Sequence, residues 1–201
     1  MLADIVDGAA ARWIKYTLGL IPAATQTTTV ERECLMRHAR GRLSIVELGV
    51  MHGVTTALLR SVMAADGTIV GIDPHPPGRL GVSFERLTAR RELARNARGR
   101  AVLIRKASAD AAADWAAPID FLFIDADHTW AGIDSDWRDW VPHVVTGGII
   151  ALHDSHRVPG REDLDSVRFT EEVVLRDPRV RRVEVADSLT ILERRPDPRP
   201  A

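Results

Sequence analysis

Residues 43–55 read LSIVELGVMHGVT: an apolar run of strand length, Leu43–Leu48, then a turn carrying Gly49 and Gly53, then a helix beginning at Thr55. A strand that turns through glycines into a helix is the first half of a βαβ unit. The same alternation continues to the C-terminus. Strands are predicted at Leu43–Leu48, Thr68–Ile72, Ala101–Arg105, Phe121–Ile124 and Gly148–Leu152, with helices at Thr55–Ala65, Phe84–Ala97, Thr129–Trp140 and Leu164–Arg176. Such a series predicts a parallel sheet covered on both faces. Two last strands follow, Val180–Val185 and Leu189–Glu193, and Asp187-Ser188 between these runs leaves room for only a tight hairpin. The expected fold is therefore α/β: a Rossmann-like, doubly wound, seven-stranded sheet, mostly parallel, with one antiparallel strand near the C-terminus.

Upstream, Ile5, Ala9, Trp13 and Tyr16 recur at helical spacing from about Asp4 to Leu18, and Gly19 and Pro22 end the pattern. Thr28 followed by Glu31 has the form of a capping box, which predicts a second helix over Thr29–Arg40. The chain thus reads as one domain over 1–193, with accessory helices in 1–41 and the sheet in 42–193. The tail 194–201 carries three prolines and is expected to be disordered.

The 201 residues are 45% hydrophobic and 27% charged, enough for one sizeable core. Lys and Arg number 27 against 28 Asp and Glu, so no field of one sign exists to hold a nucleic acid. The lone cysteine, Cys34, fits a reducing compartment. Asp4 and Asp7 stand where a signal peptide would carry positive charge, and no apolar run approaches membrane-spanning length. These features point to a cytoplasmic protein with no membrane and no nucleic-acid partner.

In open α/β sheets ligands gather beyond the carboxyl ends of the strands, near the point where strand order reverses. After the first strand, Gly49 and Gly53 let the backbone turn and approach a ligand. After the second, Asp73 lies twenty positions beyond Gly53, where a carboxylate can accept both hydroxyls of a ribose. The pair suggests an adenosine-containing cofactor. A nicotinamide dinucleotide would want G-x-G-x-x-G for its pyrophosphate, whereas this loop is G-x-x-x-G preceded by Glu47. Glu47 would repel a pyrophosphate and suit an ammonium, which favours S-adenosylmethionine.

After the third strand, Ser108 either lines an adenine edge or caps a helix. Ile124-Asp125-Ala126-Asp127-His128 and Leu152-His153-Asp154-Ser155-His156 follow the fourth and fifth strands. Asp125 and Asp154 would sit on neighbouring strand ends and could share a hard cation such as Mg2+. The alternative leaves Asp125 on a cofactor amino group and Asp154 capping a loop. His128 between acids is the candidate base, with His153, His156, His52 and His75 behind it. His143, away from the strand ends, reads as structural. Trp130, Ile133, Trp137 and Trp140 recur at helical spacing and read as core, with Trp130 near enough to the site to stack on a substrate.

Glu47-Leu48-Gly49 through Thr55, the Asp125 to His128 stretch and Gly147-Gly148-Ile149-Ile150-Ala151-Leu152-His153-Asp154 resemble class I S-adenosylmethionine-dependent methyltransferases. Among these the chain is similar, from about Thr28 to Glu193, to small metal-dependent O-methyltransferases of the catechol and macrocin types. The resemblance implies methyl transfer to a hydroxyl. It assigns the metal to Asp125 and Asp154, with Ser155 at the position of a further Asn ligand, and places His128 at the position of a catalytic lysine. It assigns Glu47, Gly49 and Thr55 to the methionine end of the cofactor, with Thr27 and Thr28 closing over its carboxylate. Asp73 falls to the ribose and Ser108 to the adenine.

Acceptor pockets in that fold use the N-terminal helices and the loops Pro74–Ser83 and Ser155–Asp165. Arg157, Arg161, Glu162 and Asp163 make the second loop polar, suited to a sugar or another polyhydroxylated acceptor. The N-terminal helices are also candidates for pairing a homodimer. Two rival readings stand beside this one: a metal-independent methyltransferase with a histidine base, and a non-catalytic cofactor-binding subunit of a biosynthetic complex.

Overall fold

The computed structural model describes residues 8–78 and 81–197. Its helices are α1 (Ala9–Thr17), α2 (Thr29–Ala39), α3 (Val54–Val62), α4 (Phe84–Ala94), α5 (Ser108–Ala112), α6 (Trp130–Trp140) and α7 (Asp165–Glu172). Its strands are β1 (Ser44–Leu48), β2 (Thr68–Ile72), β3 (Arg100–Ile104), β4 (Ile119–Ile124), β5 (Val144–Leu152), β6 (Val180–Ala186) and β7 (Leu189–Arg194). The predicted start of α1, with Ile5, lies outside the described residues, as do residues 198–201 of the tail. Among the described residues no helix is long and apolar enough to cross a membrane.

The seven strands form one sheet in the order β3-β2-β1-β4-β5-β7-β6. β3, β2, β1, β4 and β5 pair in parallel. β7 is antiparallel to both neighbours, so it alone runs against the rest. From β1 the chain builds outward through β2 and β3, then returns to β1's other side with β4. That reversal opens a crevice at the carboxyl ends of β1 and β4.

Side chains of the sheet feed two cores, one on each face. One joins Val46, Leu48, Leu122, Ile124, Ile150 and Leu152 to the buried stripe Ile133, Trp137 and Trp140 of α6 and to Phe169 of α7. The other joins Ile45, Phe121, Phe123, Ala151 and Ile191 to Leu35 of α2 and Leu59 of α3. The tryptophan stripe is core, as its spacing indicated. Trp130 turns toward α7, where its ring meets Phe169 edge-on at 5.2 Å.

The capping box predicts α2 correctly. Thr28 Oγ1 accepts from the Glu31 amide at 3.1 Å and Glu31 Oε2 accepts from the Thr28 amide at 2.7 Å. The helix expected over Leu164–Arg176 is shorter: α7 stops at Glu172, and a separate 3-10 turn follows at Val174–Arg176. The five-residue α5 is the helix that Ser108 was expected to cap, shifted by one residue so that Ser108 is its first helical position.

Candidate active site

A cleft of about 680 Å³ lies over the carboxyl ends of β1, β2 and β4, with α5 and α6 closing one side. Its floor depends on one glycine. Gly49 has φ +86°, and a Cβ there would stand 2.0 Å from the Asp125 carbonyl oxygen. No other residue lets β1 turn so close beside β4. Gly53, expected against the cofactor, serves elsewhere: at φ +76° it begins α3, and its Cα packs on Ala89 of α4, where a Cβ would come within 2.7 Å.

Glu47, at the end of β1, is 1% exposed and lines the cleft. Its Oε2 has no hydrogen-bond partner. Burial, reinforced by the charges of Asp125 and Asp73, pushes its carboxyl well above the usual range. A buried acid with a free oxygen is costly until a donor reaches it, so the position fits an amino group. Thr55 lines the same end.

Asp73 lines the cleft too, but it already accepts three backbone bonds: Val50 and Met51 amides on Oδ2 at 3.0 and 2.8 Å, and the His75 amide on Oδ1 at 2.7 Å. It pins the glycine loop as well as facing the ligand. His75 is consumed in the same arrangement, its Nε2 2.9 Å from the Met51 carbonyl. His52 lines the cleft, and burial lowers its pKa.

At the β4 and β5 ends the acid and histidine clusters converge. His128 Nε2 stands 3.6 Å from Asp125 Oδ1 and 3.6 Å from Asp154 Oδ2, shut off from solvent and without a hydrogen bond. His153 Nδ1 lies 2.9 Å from Asp125 Oδ1, and its Nε2 lies 3.3 Å from Glu31 Oε2. Burial alone would lower the His153 pKa. Hydrogen bonds to Asp125 and Glu31 outweigh it and raise the value to about 10. His153 is thus an imidazolium at neutral pH, a donor on both nitrogens, and is unsuited to act as a base.

Glu31 is likewise pulled upward by burial, yet bonds from His153, Ser188 and the Thr28 amide hold it at about 2. Ser188 Oγ is within reach of both Glu31 Oε1, at 2.6 Å, and Asp154 Oδ1, at 2.9 Å. Asp154, in the left-handed region at φ +47°, also accepts from the Arg161 guanidinium.

Asp125, Asp154 and His128 are therefore together. Asp125, His128 and His153 carry ligand-type atoms within 4.8 Å of one another, but both His153 nitrogens are engaged by carboxylates, so the carboxylates of Asp125 and Asp154 are the donors left for a hard cation. Ser155 does not belong to this set. Its hydroxyl donates to the Leu152 carbonyl at 2.7 Å and accepts from the Thr190 amide at 3.1 Å, so it fastens β5 to the β6–β7 hairpin. Thr28 is also spent away from the cleft, its hydroxyl donating to Asp187 Oδ2 at 2.6 Å. Thr25 and Gln26 face the cleft in its place.

Ser108 lines the cleft at the first residue of α5, and Ala107, not Ser108, occupies the cap position. Sequence reading missed Glu31 and Asp136. The capping box explained Glu31 completely, and Asp136 sits among the helical polar residues of α6 with no motif around it.

Residues 46–155, more than half of the chain, match the model of a methyltransferase domain family. The chain belongs to this family, with the class I fold. A search of curated proteins returned no match. Among solved structures, cofactor-bound Rv0187 from MTB superposes with a TM-score of 0.70 at 15% identity, over 96% of this chain and 94% of that one. The O-methyltransferase of Bacillus cereus in complex with SAH gives 0.63 at 17% identity, over 96% and 95%. The O-methyltransferase TomG of Streptomyces achromogenes, involved in tomaymycin synthesis and in complex with SAM, gives 0.62 at 17%, over 94% and 91%. At such identities the likeness is one of fold.

Proposed function

We propose that this protein is an S-adenosylmethionine-dependent O-methyltransferase of the cytoplasm, acting on a hydroxyl of a small polar acceptor such as a sugar, with Mg2+ at Asp125 and Asp154. The observation that carries the reading is His128 Nε2, free of hydrogen bonds and equidistant from both carboxylates at the edge of the cleft. Solved structures of this fold hold SAM or SAH, and the Glu47 carboxyl offers the acceptor that a cofactor amino group needs.

When bound, the metal would supply Lewis acidity toward an acceptor hydroxyl, and the cofactor a methyl carbon whose bond to sulfur breaks, the electron pair staying on sulfur, as the acceptor oxygen bonds to it. The chain's own part is positioning and proton removal. Glu47 and Thr55 hold the methionine end, Asp73 the ribose and Ser108 the base side. His128 takes the acceptor proton at Nε2. Alignment of acceptor and methyl accounts for much of the rate. The polar loop with Arg157 and Arg161 suits a hydroxyl-rich acceptor. Ile14, Leu18 and Leu20 of the N-terminal segment are exposed, a surface for a second copy in a homodimer.

A metal-independent variant of this reading draws on Arg161 and His153, two cations already seated on Asp154 and Asp125. Methyl transfer from labelled S-adenosylmethionine to a panel of sugars and polyhydroxylated compounds, with Mg2+ and with EDTA, tests both. Turnover in Mg2+ alone supports the metal reading, and turnover in both buffers selects the metal-independent one. Absence of transfer to every acceptor by a protein that binds the cofactor moves the non-catalytic subunit forward.

A further inference from the structure

Cys34 and His38 lie four residues apart on α2, one turn along the same face. That face meets β6, the edge strand of the sheet. The register of β6 with β7 slips between Arg182 and Glu184, an irregularity of the kind that re-aims a side chain, and Glu184 reaches the helix. His38 Nε2 stands 2.9 Å from Glu184 Oε2, the Cys34 thiol hydrogen-bonds the same carboxylate, and Arg37 holds its other oxygen, Oε1. The ligand-type atoms of Cys34, His38 and Glu184 all lie within 4.8 Å of one another. None of the three lines the cleft.

A buried cysteine alone packs as a small apolar residue. An imidazole and a carboxylate converging on its sulfur change the chemistry, because thiolate, imidazole and carboxylate are the donors of tetrahedral Zn2+, with water in the fourth position where the protein supplies three. Cys34 comes from the closed side, 1% exposed, while the His38 and Glu184 side chains reach solvent, so the open side has room for the water. Ligand atoms at 2.0–2.3 Å from a tetrahedral ion are about 3.5 Å apart, a contraction that rotation of those two side chains supplies. Binding would exchange the thiol proton, released to solvent, for the ion, and thiolate and carboxylate together balance its double charge.

We propose that Cys34, His38 and Glu184 form a Zn2+ site that clamps α2 to the edge strand β6. The same helix carries Glu31, which bonds His153, so the ion fastens the element that supplies that carboxylate. The inference is independent of the S-adenosylmethionine reading.

Cobalt spectroscopy on untagged, chelator-stripped protein tests it. Cys34 is the chain's lone cysteine, so a sulfur-to-cobalt charge-transfer band can arise nowhere else, whatever the acids of the cleft bind. One equivalent of Co2+ at the site should give that band in the wild type, and Zn2+ should abolish it. His38→Gln and Glu184→Gln, at positions that reach solvent, should each weaken the binding read from the band by tenfold or more while leaving the fold intact by circular dichroism. Absence of the band in folded, reduced wild type, or an unchanged band titration in both variants, overturns the proposal. Either result leaves the methyltransferase reading as it stands.

Discussion

Glu31 Oε2 of the accessory helix α2 stands 3.3 Å from His153 Nε2 at the end of β5, so a helix outside the sheet supplies one side of a buried charge chain that ends on Asp125. Glu31 also accepts from the amide and hydroxyl of Ser188 in the β6–β7 hairpin. The helix is therefore fastened to the site by ionic contacts as well as by the apolar contacts of Leu35.

Replacing Glu31 leaves the His153 imidazolium without one partner. Breaking a buried ion pair from one side costs about 3–5 kcal/mol, and Glu31→Gln should lose stability of that order in urea denaturation at pH 7. The pH dependence has a defined sign. Glu31 titrates at about 2 in the folded chain against 4.5 as a free side chain. Its contribution is fully present above 4.5 and is lost as pH falls through about 2. The gap between wild type and Glu31→Gln should narrow over that window. A gap that stays constant would contradict the assignment.

Asp136 behaves in the opposite sense. Burial foremost, with the neighbouring acids Asp127 and Asp139, lifts its pKa from 3.8 to about 6, partly offset by Ser108. Without a cofactor the folded state holds a proton that the unfolded chain has released, so this group destabilises the protein above pH 6 and the penalty disappears as pH falls toward 3.8. A shift of this size corresponds to about 3 kcal/mol. Asp136→Asn should raise the unfolding temperature most at pH 8 and least near pH 4. An advantage independent of pH would count against a raised pKa.

Gly49→Ala sets a methyl group against the Asp125 carbonyl oxygen at a backbone angle that L residues rarely adopt. The turn must open, moving β1's loop away from the cleft. A lower unfolding temperature together with loss of S-adenosylhomocysteine binding is expected by thermal shift and calorimetry, and retention of both would show that the loop can yield.

Ser155 makes its bonds to backbone groups of β5 and the hairpin. Ser155→Ala should cost about 1–2 kcal/mol in stability and leave Mg2+ affinity unchanged. A tenfold loss of Mg2+ affinity would return Ser155 to the ligand set.

Strand alternation, the capping box and the tight hairpin made the sheet and its one antiparallel strand readable, because each rests on local chain chemistry. That Asp125, Asp154 and His128 come together was readable because they follow two neighbouring strands, β4 and β5. What could not be read was pairing across long separations. Thr28 and Ser155 have the residue types of ligands, yet Asp187 and the hairpin backbone claim their hydroxyls. Glu31 satisfied a local rule and so gave no sign of its bond to His153, 122 positions away. Gly53 was assigned to a ligand when the constraint on it comes from Ala89.

In the proposed reading the cleft between Glu47 and Asp136 receives S-adenosylmethionine beside the Asp125, His128 and Asp154 cluster. Isothermal titration with S-adenosylhomocysteine, in Mg2+ and again in EDTA, tests it most directly. Micromolar binding that is lost in Glu47→Ala is the expected result. No binding in either buffer by the folded wild type would contradict the account.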